Sequence, residues 1–469
     1  MVASEATPFA KTGGLADVVG ALPKALRQRG DDVRVLMPLY PNGAPYLKNY
    51  VKAFENLRFR MAGQDYTADI LAVEWDGVPI YLLDCPALYG RPSLYTTREG
   101  DYPDNHIRFA ALCRAAFAVV RWIFRPDLFH CHDWQASLVG PMLKTELAGD
   151  PTFFGIKVLL TIHNLGYQGL FPATALDDIG LSRALFRPEL LEFWGAVNFL
   201  KGGIVFADWI NTVSQAYARE IQTQEYGFGL DGLLRSRASV LSGVINGVDY
   251  DDWSPEKDSY IVRNYSVDNV AGKRECKADL LREFGLAKDN LDRPLFGIVS
   301  RFADQKGFDL IEQIAYDLIQ EDLGLVVIGS GEARYENLFR SLAAARPDRV
   351  GVRVAYDNAV AHKIEAGADV FLMPSRYEPC GLNQIYSLRY GTVPVVRATG
   401  GLDDTIDDET GFKFREYTGV ALLGAIRQAL GVYREPAQWQ RMVRKGMTRD
   451  FSWHASAAEY SGLYRRLVG

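Results

Sequence analysis

Short β-branched or apolar runs alternate with longer helical stretches from one end of the chain to the other. In the first half, residues 33–37, 78–83, 128–131, 158–162 and 210–213 predict strands; in the second, residues 295–299, 324–328, 350–354, 370–373 and 393–396 do so. Between them, Leu15, Val18, Val19, Leu22 and Leu26 keep one apolar face at helical spacing, as do Phe308, Ile311, Ile314, Ala315 and Leu318. Strands buried on both faces read as unbroken apolar runs, so the pattern predicts an α/β fold of parallel sheets covered by helices. Doubled over 469 residues, it predicts two such domains. The stretch after Asn246-Gly247-Val248 is polar, carries Trp253-Ser254-Pro255 and loses periodicity, which puts a linker near 248–260. Domains over 1–248 and 249–450 follow, with a closing helical segment over 451–469. No repeat of 20–50 residues is visible, which sets solenoids and propellers aside.

Composition narrows the partners. A hydrophobic content of 48% builds real cores, and 58 acidic against 52 basic side chains leave a net charge of −6. That charge offers no general attraction to nucleic acid or anionic lipid, so neither is an expected partner. No run approaches the length of a membrane span and the start lacks a leader pattern, so a cytoplasmic location is expected. The five cysteines are odd in number, scattered and without zinc-site spacing, which fits a reducing compartment.

In open α/β sheets ligands bind beyond the carboxyl ends of strands, so the loops after each predicted strand carry the candidate chemistry. Residues 9–17 hold Lys11, Gly13, Gly14 and Asp17 before a helix, a loop that suits an anion or serves as an ordinary glycine turn. His130-Cys131-His132-Asp133 ends a strand; it reads either as a metal site or as a buried histidine with Asp133 at the strand tip, a regular strand sending Asp133 to the opposite face. His163-Asn164 lies at another tip, followed by Tyr167-Gln168-Gly169. Arg301 and Lys306 place two cations in one strand-to-helix loop, as a leaving diphosphate requires, with a salt-bridged surface loop as the alternative. Glu378 follows strand 370–373, and the amides of Cys380, Gly381 and Leu382 after it suggest an anion-facing helix start. A carboxylate beside an anion pocket suits a ligand with both hydroxyls and phosphate, a sugar nucleotide. Cys380 has no histidine neighbour in sequence, which favours a packing residue over a nucleophile. The aromatic residues, 12% of the chain, single out no sugar-stacking position by pattern.

At these positions the chain resembles the bacterial glycogen synthase and plant starch synthase family, over nearly its whole length. The motifs are Lys11-Thr-Gly-Gly-Leu-Ala-Asp17, His132-Asp-Trp134, Thr161-Ile-His-Asn164, Tyr167-Gln-Gly169, Asn246-Gly-Val-Asp249, Ser300-Arg301, Gln305-Lys-Gly307, Pro374-Ser-Arg376, Glu378-Pro-Cys-Gly-Leu382 and Thr399-Gly-Gly-Leu402. The resemblance implies a GT-B fold, two Rossmann-like parallel-sheet domains facing a deep interdomain cleft. It also implies retaining transfer of glucose from ADP-glucose to the non-reducing end of an α-1,4-glucan, without a metal or other cofactor. A UDP-glucose donor and a non-catalytic glucan-binding relative are the alternatives. Carried over residue by residue, Arg301 and Lys306 neutralise the departing diphosphate, and Lys11 with Gly14 approaches the donor from the first domain. Glu378 holds glucose hydroxyls, the amides of Cys380, Gly381 and Leu382 bind phosphate, and Asp133 and His163 line the acceptor side. Asp17, Tyr95 and Asn246 are further substrate contacts, and Tyr356 covers the base.

Gln135 replaces the family's usual histidine and predicts altered acceptor contacts. Tyr386 stands where a broader GT-B signature has a second glutamate, which is itself typical of the glycogen and starch synthases. The amino end is a few residues shorter than the family norm, which predicts a truncated first strand and a loosely anchored Lys11 loop.

Overall fold

A computed structural model describes residues 1–97 and 99–469. The chain divides into two compact units. The first comprises Met1–Val213, Ala218–Gly247 and Trp453–Gly469, and the second Ser214–Tyr217 and Val248–Ser452.

The first unit holds β1 (Val35–Pro38), β2 (Val51–Met61), β3 (Gln64–Trp75), β4 (Val78–Asp84), β5 (Leu128–His132) and β6 (Lys157–Ile162). Three short strands follow, β7 (Leu170–Pro172), β8 (Glu192–Phe193) and β9 (Ala196–Asn198), then β10 (Trp209–Thr212) and β11 (Leu241–Gly243). Hydrogen-bonded neighbours run β1-β4-β3-β2 on one side and β11-β10-β6-β5 on the other. The two halves are joined by the first residues of the chain, since Val2 bridges Leu36 of β1 and Cys131 of β5, both in parallel. Chain order therefore reverses around this opening segment, which is the arrangement that places ligands at the carboxyl ends of the two strands flanking the reversal. The antiparallel β2 and β3 lie outside the predicted set: β2 alternates apolar with charged residues and is largely exposed, unlike the continuous runs of a parallel interior.

The closing helix Trp453–Val468 packs in this first unit. Trp453, Ala457, Tyr460 and Leu463 share a core cluster with Val18, Leu22 and Leu26 of the helix Gly14–Gln28. Asn211 of β10 also donates to the Tyr460 hydroxyl at 3.0 Å.

The second unit is a single parallel sheet of six strands: β12 (Leu295–Val299), β13 (Gly324–Gly329), β14 (Val350–Val354), β15 (Val370–Met373), β16 (Val393–Arg397) and β17 (Phe412–Phe414). Their spatial order is β14-β13-β12-β15-β16-β17, the doubly wound arrangement with its reversal between β12 and β15. The inner strands β12, β13 and β15 are apolar runs because helices cover both faces, and their two sides feed the core clusters around Phe296, Phe308 and Phe339 and around Leu280, Ile364 and Phe371. The chain enters and leaves this unit side by side, with the Val248 amide donating to the Phe451 carbonyl at 2.8 Å.

Candidate active site

In the first unit the site grows from the loops at the reversal. The opening strand ends in Ser4 and Glu5, both buried. The Glu5 carboxylate accepts the Thr12 amide at 2.5 Å, the Thr12 hydroxyl at 2.9 Å and the Tyr95 hydroxyl at 2.9 Å, while Ser4 Oγ lies 2.7 Å from the same Tyr95 oxygen. Burial pushes the Glu5 carboxyl above its ordinary range and the Thr12 bonds pull it back. The glycine-rich loop is thus anchored at its base, in contrast to the loose loop expected from sequence, and Tyr95 serves as a strut of that anchor. Beyond Thr12, Gly13 and Gly14 are exposed and their backbone faces open space. Lys11 Nζ pairs with Asp17 Oδ1 at 2.6 Å. Exposed pairs of this kind contribute at most about 1 kcal/mol, so the ammonium is readily recruited by a stronger anion.

Strand β5 stops at His132, and Asp133 turns into the left-handed region with φ 55°. The strand alternation expected to send Asp133 to the opposite face therefore does not reach it. Its Oδ1 accepts the His163 amide at 2.7 Å. Burial raises the Asp133 carboxyl to about 7; the Glu5 charge adds to the rise, and the His163 and Asn164 amides oppose it.

The three histidine rings lie in a row, with His130 and His132 centroids 4.1 Å apart and His132 and His163 centroids 5.3 Å apart, but their hydrogen bonds form two sets. His130 meets the Tyr464 hydroxyl through Nδ1 and the Thr161 hydroxyl through Nε2, each at 2.7 Å, so both its ring nitrogens are engaged by the protein. His132 is completely buried and its Nδ1 lies 3.0 Å from His163 Nε2. Burial depresses both of the latter, His163 to about 3, so the pair is neutral and shares one proton across the contact. His132 Nε2 is buried without a partner. A buried orphan N–H is rarer and costlier than an under-used acceptor, which puts the His132 proton on Nδ1, donated to His163. His163 then carries its own proton on Nδ1, the nitrogen left for a ligand.

Two further positions are buried. Gln135 accepts the Cys113 thiol on its backbone carbonyl at 3.4 Å, and its side-chain Oε1 has no hydrogen bond among the described residues. Asn246 is also buried and keeps an unpartnered Oδ1.

In the second unit the two loops at the reversal meet. Gly307, in the left-handed region, lies so close to the Pro374 carbonyl that a Cβ would sit 1.9 Å from it, which locks the loop after β12 against the loop after β15. Across that contact Lys306 Nζ donates to Glu378 Oε2 at 2.6 Å, and Ser375 Oγ donates to the same oxygen at 3.1 Å. Glu378 is buried, its Oε1 has no hydrogen bond among the described residues, and Arg301 is exposed with no ion pair among them. Cys380 is a buried packing residue. The helix after it starts only at Asn383, so Cys380, Gly381 and Leu382 precede it as a loop. The second Thr-Gly-Gly-Leu string supports that loop from below: the Gly401 amide donates to the Glu378 carbonyl at 3.0 Å, and a Cβ on Gly401 would meet the Cys380 carbonyl at 1.9 Å. The same string thus exposes its Thr-Gly-Gly at 12–14 and packs as a support at 399–402. Tyr386 stacks on Trp253 with centroids 4.0 Å apart, and Tyr356 is 88% exposed just beyond β14.

Sequence reasoning missed Glu5 and Ser375, and it read His132 as a metal ligand or a buried histidine without foreseeing its contact with His163. Glu5 and Ser375 each follow a strand closely, which is the one signal that would have directed attention to them. Among the described residues no group of three histidine, cysteine, aspartate or glutamate side chains is placed to hold a metal ion. No helix among them is long and apolar enough to cross a membrane.

The starch synthase catalytic domain family matches residues 1–236, and the glycosyl transferases group 1 family matches residues 284–446. The chain is 53% identical over 472 residues to the glycogen synthase of Koribacter versatilis, covering 99% of this chain and 97% of that protein. It is 46% identical to glycogen synthase 2 of Geobacter sulfurreducens, covering 99% and 98%. The catalytic domain of starch synthase IV from Arabidopsis thaliana, bound to ADP and acarbose, superposes with a TM-score of 0.89 at 32% identity, over 99% of this chain and 98% of that one. A sucrose-phosphate synthase from Thermosynechococcus elongatus shares the fold at a TM-score of 0.58 and 19% identity. Two doubly wound units with cations and carboxylates at their reversals define a GT-B glycosyltransferase. The chain belongs to the bacterial glycogen synthase and plant starch synthase family.

Proposed function

We propose that this protein transfers glucose from ADP-glucose to the non-reducing end of an α-1,4-glucan, with retention of configuration and without a metal or other cofactor. The observation that carries the proposal is the Lys306–Glu378 pair at the sheet reversal, with Arg301 in the same loop making no ion pair among the described residues, in a chain whose relatives are glycogen synthases along their whole length. The two side-chain cations take the role that a divalent ion would otherwise have, stabilising the diphosphate as negative charge develops on it. Glu378 uses one oxygen to orient Lys306 and offers the other to hydroxyls of the donor glucose. The loop amides of Cys380, Gly381 and Leu382 contact phosphate, and Tyr356 lies over the base. In the first unit, Lys11 and Gly14 supply a further cation and an exposed backbone for the donor, with Asp17 holding Lys11 in reserve and Tyr95 bracing the loop through Glu5. Asp133 and His163 face the glucose, the former stabilising its positive charge and the latter donating from Nδ1. Asn246 offers its unpartnered Oδ1 to the substrate.

Retention is assigned to front-face transfer: the bond from the anomeric carbon to the phosphate oxygen breaks, the bond to the acceptor oxygen forms on the same face, and the acceptor proton passes to the departing phosphate. ADP-glucose is preferred to UDP-glucose in this proposal because the starch synthase IV relative was solved with ADP. The test is incorporation of labelled glucose into glycogen from each donor, with nucleotide release followed in parallel. Incorporation from ADP-glucose with equal ADP release is the expected result. Preference for UDP-glucose overturns the donor, and nucleotide release without polymer growth overturns the acceptor.

A further inference from the structure

Arg108, in the first turn of the helix Asn105–Trp122, is completely buried. Burying a guanidinium is costly unless a carboxylate meets it, and among the described residues none does. Asp104, just before the helix, pairs with Arg91 instead. The charge is held by other means: Nε donates to the Leu88 carbonyl at 2.8 Å, and Nη1 donates to the Leu94 carbonyl at 2.8 Å and to Asn105 Oδ1 at 2.7 Å. The ring centroids of Tyr89, Tyr102 and Phe109 lie 5.6, 5.1 and 5.3 Å from its guanidinium carbon. Nη2 is buried without a partner.

Asn105 and Arg108 are three residues apart in a helix, so their side chains meet on one face. Arginine can only donate and a carbonyl can only accept, which fixes the Asn105 amide in one orientation: Oδ1 takes Arg108, and Nδ2 donates to the Tyr95 carbonyl at 3.0 Å. The Tyr102 amide donates to the same carbonyl at 3.0 Å. Tyr95 is thereby held by its backbone while its hydroxyl donates to Glu5 Oε1 at 2.9 Å, on the carboxylate that carries Thr12. Every donor in the series points the same way, from the buried cation through Asn105 and Tyr95 to the buried Glu5. The two charges also act on one ring: burial pushes the Tyr40 hydroxyl up, the Arg108 charge opposes that rise and the Glu5 charge adds to it.

We propose that Arg108 and Asn105 are positioning residues of the glycine-rich loop: they fix Tyr95, and through it the Glu5 carboxylate on which Thr12 and the neighbouring Lys11, Gly13 and Gly14 are set. Residues 11–14 are all exposed, so packing does little to hold them and the bonds from Thr12 to Glu5 carry that task. The consequence for transfer rests on the donor role that the preceding section gives Lys11 and Gly14. A loop held through buried polar groups meets its ligand already in one geometry.

The test is amide hydrogen exchange over residues 10–16 of the full-length protein without substrate, in the parent, in Asn105→Asp and in Arg108→Lys, alongside the kinetics of each with ADP-glucose and glycogen. Asn105→Asp keeps the shape and gives Arg108 a carboxylate, but sets an oxygen against the Tyr95 carbonyl. Arg108→Lys keeps the charge and loses the fork. Exchange over 10–16 is expected to rise about 10-fold in both, with β1 and β4 exchanging as in the parent, and kcat/KM for ADP-glucose is expected to fall about 10-fold with KM for glycogen unchanged. Combining Asn105→Asp with Tyr95→Phe should cost little more than Tyr95→Phe alone, because Asn105 acts through Tyr95. Parent-like exchange over 10–16 in both variants overturns the assignment. So do exchange raised throughout the unit, which makes the two residues ordinary core groups, and multiplicative losses in the combined variant. Loop exchange raised with ADP-glucose kinetics unchanged upholds the positioning role and overturns instead the donor role of Lys11 and Gly14.

Discussion

Lys306 Nζ lies 2.6 Å from Glu378 Oε2 and joins the two loops at the reversal of the second sheet. In a pair so placed the carboxylate fixes the ammonium, and the buried Ser375 hydroxyl fixes the carboxylate. Lys306→Ala is expected to lower kcat by about 10²–10³-fold. Glu378→Gln is expected to impair transfer more than ADP binding, because the proposed function assigns its second oxygen to the sugar and not to the nucleotide. The double variant should lose much less than the product of the two single losses, since each partner acts through the other. Multiplicative losses, measured by steady-state kinetics on all four proteins, contradict this reading.

Arg301 is the exposed cation of the same loop and makes no ion pair among the described residues, so removing it leaves no buried charge behind. Arg301→Ala should therefore reduce turnover by about 10²-fold while the thermal midpoint stays where it was. Near-normal turnover removes Arg301 from the diphosphate site.

The His132–His163 contact supplies a third expectation. His132→Asn keeps a donor where Nδ1 stood, whereas His132→Leu removes it. The leucine variant should invert the His163 tautomer and lower kcat, and the asparagine variant should preserve both. Nitrogen-15 spectra of labelled histidine in the two variants read the tautomer directly. The same pattern in both shows that His132 does not set it.

The pH dependence follows from Asp133 and His163, with opposite signs. If the ionised Asp133 carboxylate faces the positive centre, activity rises with pH through a limb near 7, and Asp133→Asn removes that limb with most of the rate. A pH profile flat between 5 and 8 contradicts the assignment. In stability, the proton held by folded Asp133 favours the fold at and below its ordinary value of 3.8, and that contribution is lost as pH rises through about 7. His163, lowered from 6.5 to about 3, does the reverse: its contribution is present above 6.5 and lost as pH falls through about 3. Urea midpoints of Asp133→Asn and His163→Gln across this range separate the two.

Much of this architecture is legible in the sequence. The strands of the second unit stand out because burial on both faces leaves uninterrupted apolar runs such as Leu295–Val299 and Val370–Met373. Arg301, Lys306 and Glu378 stand out because each follows such a run. Strands β2 and β3 do not, because one exposed edge mixes charge into the pattern. Asp133 was misplaced by strand alternation because the strand ends one residue earlier, at a left-handed turn that no local residue announces. Glu5 is not legible, nor is the His132–His163 contact, for a different reason: both depend on partners distant in sequence, Tyr95 and His163.

The most direct test of the central claim is to extend glycogen with labelled glucose from ADP-glucose and then digest the product with β-amylase, which releases maltose only from α-1,4-linked non-reducing ends. The account predicts that nearly all incorporated label is released as maltose, which establishes linkage, chain end and retained configuration together. Label that resists β-amylase contradicts it.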